Sequence, residues 1–329
     1  MTAPFLEVTD LATSFKTPGG RFRAIEGVSF RLERGRTLGV VGESGCGKSV
    51  TAMSLVRLVD STGGRIETGR VLLDGLDLLG LSPKALRAVR GRRVGMIFQE
   101  PMTSLNPVFT IGRQIAEVFT IHLGTSRSEA KQRAIELLRR VRIPAPEQRF
   151  DEYPHQLSGG MRQRVMIAIA LALKPELVVA DEPTTALDVT IQAQILALMA
   201  ELQTEEGMSI LLITHDLGVV AQFCDEVLVM YAGRVVEQGP VAEVFQRPGH
   251  PYTRGLLAAK PRLGLHPERL HVIDGVVPAL GQFPRGCRFQ ARCSLVTSQC
   301  REAEPELAPH AGVSRAACFN SDKMPTEPQ

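Results

Sequence analysis

Residues 42–49 read Gly42-Glu-Ser-Gly-Cys-Gly-Lys48-Ser49, directly after the apolar run Leu38–Val41 and directly before the helical pattern Val50–Leu58. Few eight-residue stretches restrict a fold so tightly. The G-x-x-x-x-G-K-[ST] pattern needs a buried strand to deliver it and a helix N-terminus to close it. Its glycines let the backbone curl so that N–H groups face a phosphate, and the helix end adds favourable dipole charge. The whole loop, Gly42, Glu43, Ser44, Gly45, Cys46, Gly47, Lys48 and Ser49, with Val50 behind it, is therefore a candidate phosphate site. Lys48 would reach the β- and γ-phosphates, and the Ser49 hydroxyl would ligate Mg²⁺. Alone, the loop specifies a bound nucleotide and no task.

The rest of the chain supplies the sheet such a loop requires. Short apolar runs at Arg36–Val41, Val94–Phe98, Leu177–Ala180, Ile210–Thr214 and Val227–Met230 alternate with helical patterns, the signature of an α/β fold with strands covered on both faces. Phe5–Thr9 and Ala24–Glu33 read as antiparallel strands with a turn at Pro18–Gly19–Gly20. Ile111–His122, Ser128–Arg140 and Gly160–Leu173 are helical with few strand signals between them, so a helical subdomain is expected over about residues 100–175. Arg234–Glu237 and Ala242–Gln246 close this domain near residue 247. Ten of the 21 prolines follow, between Pro248 and the end, and periodicity weakens, which marks 248–329 as an irregular extension.

Further residues fit hydrolysis of the bound nucleotide. Leu177–Ala180 ends in Asp181 and Glu182, placing two acids at the C-terminal edge of a sheet, where ligands bind in such folds. Asp181 would hold the Mg²⁺ shell and Glu182 would polarise the attacking water as general base. Gln99 follows one strand and can reach metal or water; His215 follows another and can contact the γ-phosphate. Ser158, Gly159 and Gly160 open a helix and form a second phosphate-binding surface. One nucleotide in one chain needs no second surface, whereas a head-to-tail pair of chains does.

Composition excludes several alternatives. The net charge is +3, without the basic excess of a dedicated nucleic-acid binder. The longest apolar stretch, Val165 to Ala180, is interrupted by Lys174, Pro175 and Glu176, leaving pieces too short to span a bilayer. The start MTAPFLEVTD lacks the features of a secretory signal. A cytoplasmic protein is expected, with any membrane role exerted through a partner. Four of six cysteines, Cys287, Cys293, Cys300 and Cys318, crowd into the extension. Their spacing has no C-x₂-C pair and misses the familiar ferredoxin patterns, so zinc and an iron–sulfur cluster both stay open as candidates, as do free thiols or disulfides.

Residues 5–245 resemble ABC-transporter ATP-binding subunits, with every expected motif in order. These are the phosphate loop Gly42–Ser49, the glutamine loop at Gln99, the signature Leu157–Met161, the acids Asp181 and Glu182, the interface loop Ala186-Leu187-Asp188 and the switch His215. Met161 stands where the family often has glutamine, which leaves the backbone donors untouched. The resemblance places Phe15 as the aromatic that stacks on adenine and Asp188 among the nucleotide contacts. It also implies an antiparallel β subdomain and an inserted helical subdomain around the P-loop core.

Phe98-Gln-Glu-Pro-Met-Thr-Ser-Leu-Asn-Pro107, Ser158-Gly-Gly-Met-Arg-Gln-Arg-Val-Met166 and His250-Pro-Tyr-Thr253 are similar to the ATP-binding subunits of oligopeptide and dipeptide permeases, the Met-Arg-Gln-Arg signature looking like that of the first of their two paired ATPases. That resemblance implies two membrane permease subunits, a paralogous ATPase as dimer partner, a substrate-binding protein and a peripheral place on the cytoplasmic face of the inner membrane. It also implies a [4Fe–4S] cluster on the four cysteines, with Zn²⁺ as the alternative. The apolar, proline-bearing segment Glu100–Arg113 fits a surface that docks a membrane subunit's helix. A soluble ABC ATPase acting on nucleic acid or ribosomes, and a transporter of nickel or glutathione, remain alternatives.

Overall fold

The computed structural model describes residues 4–185, 187–259 and 272–324, with backbone alone at 101 and 102. Ala186 of the interface loop lies outside the described residues. The chain forms two compact units: Met1–Leu32, Leu38–Leu79 and Thr214–Gln329 make one, Glu33–Thr37 and Gly80–Ile213 the other.

The first unit contains an antiparallel sheet in which Gly20–Leu32, Leu6–Thr17, Gly64–Leu73 and Leu76–Asp77 lie side by side in that order. Thr17 sits opposite Gly20, so the hairpin turns on Pro18 and Gly19 as expected. Its first strand runs well past the expected Thr9. Asp10 takes a left-handed φ of 48°, and the register shifts between Val8 and Leu11. Beyond that irregularity the buried positions include Thr13 and Ser14. The Thr13 and Ser54 hydroxyls pair at 2.8 Å, so the polar groups are satisfied although the apolar alternation is lost.

In the same unit Leu38–Val41, of the strand Thr37–Val41, runs parallel to Glu226–Tyr231, with Val41 opposite Val229. All five residues of Thr37–Val41 are buried, which is why the strand reads as a continuous apolar run rather than an alternating one. It delivers the loop that opens the helix Lys48–Leu55. Arg234–Pro240 pairs antiparallel with Glu226–Tyr231.

The proline-rich extension is more ordered than its composition suggests. Pro251–Ala258 is a helix, and the two-residue strands Arg315–Ala316 and Ala308–Pro309 continue the sheet beyond Arg234–Pro240. It builds its core partly from side chains upstream of residue 248. Phe289 packs edge-on to Tyr231 at 5.1 Å between ring centroids, and Tyr231 meets Tyr252 at 4.7 Å. Arg288 donates to the Ala232 carbonyl at 2.6 Å and pairs with Glu26. A segment poor in apolar residues thus folds by sharing the apolar surface of an existing sheet.

The second unit holds three parallel strands, Val94–Ile97, Leu177–Asp181 and Ser209–Ile213, with Leu177 opposite both Val94 and Ser209. Between the first two strands come the helices Ile111–Leu123, Arg127–Arg140 and Gly159–Leu171, each close to its expected range. The side chains of Thr110, Ser126 and Ser158 accept the first free N–H groups of these helices, so each start is fixed by a local cap. Val189–Glu206 leads to the third strand through Gly207, whose φ of 67° ends the helix. Among the described residues no helix is long and apolar enough to cross a membrane.

Candidate nucleotide site

The phosphate loop has the strand-before, helix-after setting that its sequence demands. Gly42 adopts φ 154°, and a Cβ there would lie 2.3 Å from the Met230 carbonyl oxygen. Gly47, at φ 104°, caps the helix Lys48–Leu55, where a Cβ would meet Ile25 at 2.6 Å. Neither position admits a side chain. Lys48 is only 5% exposed. Its ammonium donates to the carbonyl oxygens of Gly42 at 2.8 Å and Glu43 at 3.1 Å, so the lysine spans the loop it belongs to. Cys46 is fully buried, and burial pushes its thiol up, which leaves it an uncharged packing residue.

In the same unit, Phe15 lies on Leu6–Thr17 opposite Gly64, half-buried, with its ring close against that glycine. His215 is exposed, two residues past the end of Ser209–Ile213.

The second unit assembles a different group. Asp181 ends the buried strand Leu177–Asp181 and is 6% exposed. Glu182 follows in a left-handed conformation, φ 47°, unusual for a residue with a side chain. Its backbone N–H donates to the Ile213 carbonyl at 2.9 Å. Its carboxylate accepts from the Gln99 amide at 3.0 Å and from the Thr185 hydroxyl at 2.7 Å. The structure therefore brings Gln99 and Glu182 together, whereas the sequence suggested only that Gln99 reaches metal or water. Thr185 was not singled out; its signal was its place three residues after the acid.

Ser158 and Asp188 have definite local tasks. The Ser158 hydroxyl accepts from the Met161 N–H at 3.4 Å, capping the signature helix. Asp188 accepts from the Ile191 N–H at 2.9 Å, capping Val189–Glu206. Both are exposed, as is Gly159. A Cβ at Gly160 would lie 2.8 Å from Ile191, so that glycine permits close helix packing. Ser158 and Gly159 present outward the N-terminus of a thirteen-residue helix, a surface suited to an anion.

Ser49 and Asp181 offer a hydroxyl and a carboxylate, the hard oxygen donors that suit Mg²⁺. The four clustered cysteines are all free thiols. Cys287, Cys293 and Cys318 each lie within electrostatic range of Cys300. Leu295 N–H donates to Cys293 Sγ at 3.3 Å, and Asn320 N–H to Cys318 Sγ at 3.4 Å. Among the described residues no three metal-ligating side chains converge tightly enough to hold an ion as placed. A single zinc, about 2.3 Å from each thiolate, would need such convergence. Four thiols are the donor set that either a structural zinc or an iron–sulfur cluster would take.

Residue 250 opens the His-Pro-Tyr motif. Burial pushes His250 down to about 3, so the ring stays neutral, and its Nδ1 accepts from the Tyr252 N–H at 3.1 Å. Buried Glu237, pushed up to about 7 by its burial, accepts from the N–H groups of Gly249 at 2.5 Å and His250 at 3.0 Å.

Residues 25–185 match the family described as ABC transporter, and residues 236–300 the family described as oligopeptide/dipeptide transporter, C-terminal region. A "Probable peptide ABC transporter ATP-binding protein" of Sinorhizobium fredii is 52% identical, covering 97% of this chain and 96% of its own. A protein of Brucella melitensis, provisionally named a peptide import ATP-binding protein, is 52% identical over 93% of this chain and 94% of its own. Among solved structures, a dimeric ATP-binding cassette in a post-hydrolysis state with ADP and phosphate matches with a TM-score of 0.64 at 27% identity, covering 72% of this chain and 98% of that one. With near-complete coverage at half identity, and both family regions in place, this chain belongs to the ATP-binding subunits of the oligopeptide/dipeptide ABC transporter family.

Proposed function

We propose that this chain binds MgATP and hydrolyses it to drive import of peptides through a membrane complex. The observation that carries hydrolysis is Glu182: an acid at a strand end, held by Gln99 and Thr185 in a conformation the backbone adopts at some cost. Lys48 and backbone N–H groups of the phosphate loop bind the β- and γ-phosphates, and Phe15 stacks on the base. Ser49, Gln99 and Asp181 are the residues assigned to Mg²⁺, which would neutralise charge on the phosphates. Glu182 takes the proton of the attacking water, and His215 contacts the γ-phosphate. Ser158, Gly159 and Gly160 of one chain complete the site of another, with Asp188 at that interface.

The partner ATPase is a paralogue, with this chain the first of the pair. Two permease subunits and a substrate-binding protein complete the assembly at the cytoplasmic face of the inner membrane. Val108, 68% exposed, gives the docking segment an apolar side chain for a permease helix. Peptide as cargo is supported by the names of the relatives and by the C-terminal region. ATP-dependent uptake of labelled di- and oligopeptides into vesicles holding the assembled complex tests it. Peptide uptake that stops without ATP is the expected result. Uptake of nickel or glutathione with no peptide uptake would reassign the cargo.

Cys287, Cys293, Cys300 and Cys318 hold a [4Fe–4S] cluster that stiffens the extension. Chain purified without oxygen should contain close to four irons and absorb broadly in the visible. Stoichiometric zinc without iron, or neither metal, would overturn the assignment.

A further inference from the structure

Glu43 is the second residue of the phosphate loop, and its peptide group is gripped at both ends. The Gly42 carbonyl of that peptide accepts from Lys48 Nζ at 2.8 Å. The Glu43 N–H, pointing the opposite way across the trans peptide, donates to the Tyr252 hydroxyl at 2.7 Å. Tyr252 belongs to the His-Pro-Tyr motif and is fully buried. The Glu43 carboxylate is gripped as well. Arg292 donates to its two oxygens at 2.6 and 3.0 Å, fork to fork.

The arginine is itself held by further partners. It donates to the Asp274 carbonyl at 2.9 Å and the Ile273 carbonyl at 3.1 Å, and its guanidinium carbon lies 5.7 Å from the Tyr231 ring centre. Its side chain is 4% exposed, and the bond to Glu43 holds its pKa above the usual arginine value. A buried cation of this kind fixes whatever carboxylate it pairs with.

We infer that Tyr252 and Arg292, both from the C-terminal region, are positioning residues for ATP binding. They hold the Gly42–Glu43 peptide and the Glu43 side chain, so that the loop is already shaped for a triphosphate before one arrives. A loop ordered in advance loses less entropy on binding. Residues beyond 247 thus contribute to the nucleotide site without touching the nucleotide. The inference rests on the reading of Gly42–Ser49 as the ATP loop.

The test compares the parent chain with Tyr252→Phe, which removes one hydroxyl and keeps the ring, and with Arg292→Gln and Arg292→Lys. Direct titration of the full chain with MgATP should show affinity about tenfold weaker for Tyr252→Phe and for Arg292→Gln, with Arg292→Lys between parent and Arg292→Gln. In the assembled transporter KM for ATP should rise while kcat stays within about twofold, a split that a general loss of structure would not produce. If Arg292→Gln fails to fold, Tyr252→Phe decides alone. Parent affinity in Tyr252→Phe, or a loss confined to kcat, would overturn the inference. Lys48→Ala, run alongside, keeps the two readings apart. Should the parent bind MgATP and Lys48→Ala not, the loop assignment stands whatever Tyr252→Phe does. A parent that binds no ATP would remove the assignment itself.

Discussion

Glu182→Gln is expected to bind MgATP as the parent does and to lose at least about a hundredfold in kcat, the lower end of what a positioned general base contributes. The substitution is close to isosteric. The new amide oxygen can still accept from the Thr185 hydroxyl, now 2.7 Å from the carboxylate. What disappears is the anionic oxygen that takes a proton from water. Hydrolysis therefore stalls after nucleotide binding, and chains paired around ATP should accumulate. Size-exclusion chromatography with ATP should show a dimer that persists, and steady-state phosphate release should fall to background. Gln99→Ala should cost less, because Gln99 donates to the acid at 3.0 Å and orients it without replacing it. Normal turnover in Glu182→Gln would refute Glu182 as the base.

The residues of this site differ in how visible they were beforehand, and the difference is physical. Gly42, Gly47 and Lys48 are legible because their constraints are local: a positive φ or a close backbone contact admits only glycine, and the loop fixes the spacing to the lysine. Asp181 and Glu182 are legible from the apolar strand that ends on them. The helix starts at Thr110, Ser126 and Ser158 are legible within a residue or two because a cap is a contact between near neighbours. The length of Leu6–Thr17 was hidden by the irregularity at Asp10 and by buried Thr13 and Ser14, which break the period-two signal. The grip of Arg292 on Glu43 was hidden altogether. It joins positions 249 residues apart, and nothing in either neighbourhood encodes the other. The extension looked irregular for the same reason: Phe289 finds its apolar partners in Tyr231 and Tyr252, far from it in sequence.

Lys48→Ala should have the largest effect on nucleotide binding, roughly a hundredfold weaker affinity or about 2.7 kcal/mol. Two losses combine. The ammonium is the one loop side chain with a full positive charge to offer a triphosphate, and charge-assisted contacts in a secluded site are strong. It also donates to the carbonyls of Gly42 and Glu43, so removing it frees one end of the peptide whose other end Tyr252 holds. Alanine leaves those two carbonyls without that donor and the loop free to reshape. The variant should therefore bind ADP poorly as well as ATP, in contrast to Glu182→Gln, which binds and stalls. Calorimetric titration of both nucleotides into both variants checks the contrast. Parent-like ATP affinity in Lys48→Ala would mean that Gly42–Ser49 is not where the triphosphate sits, and Tyr252 and Arg292 would then be fastening a turn rather than shaping a site.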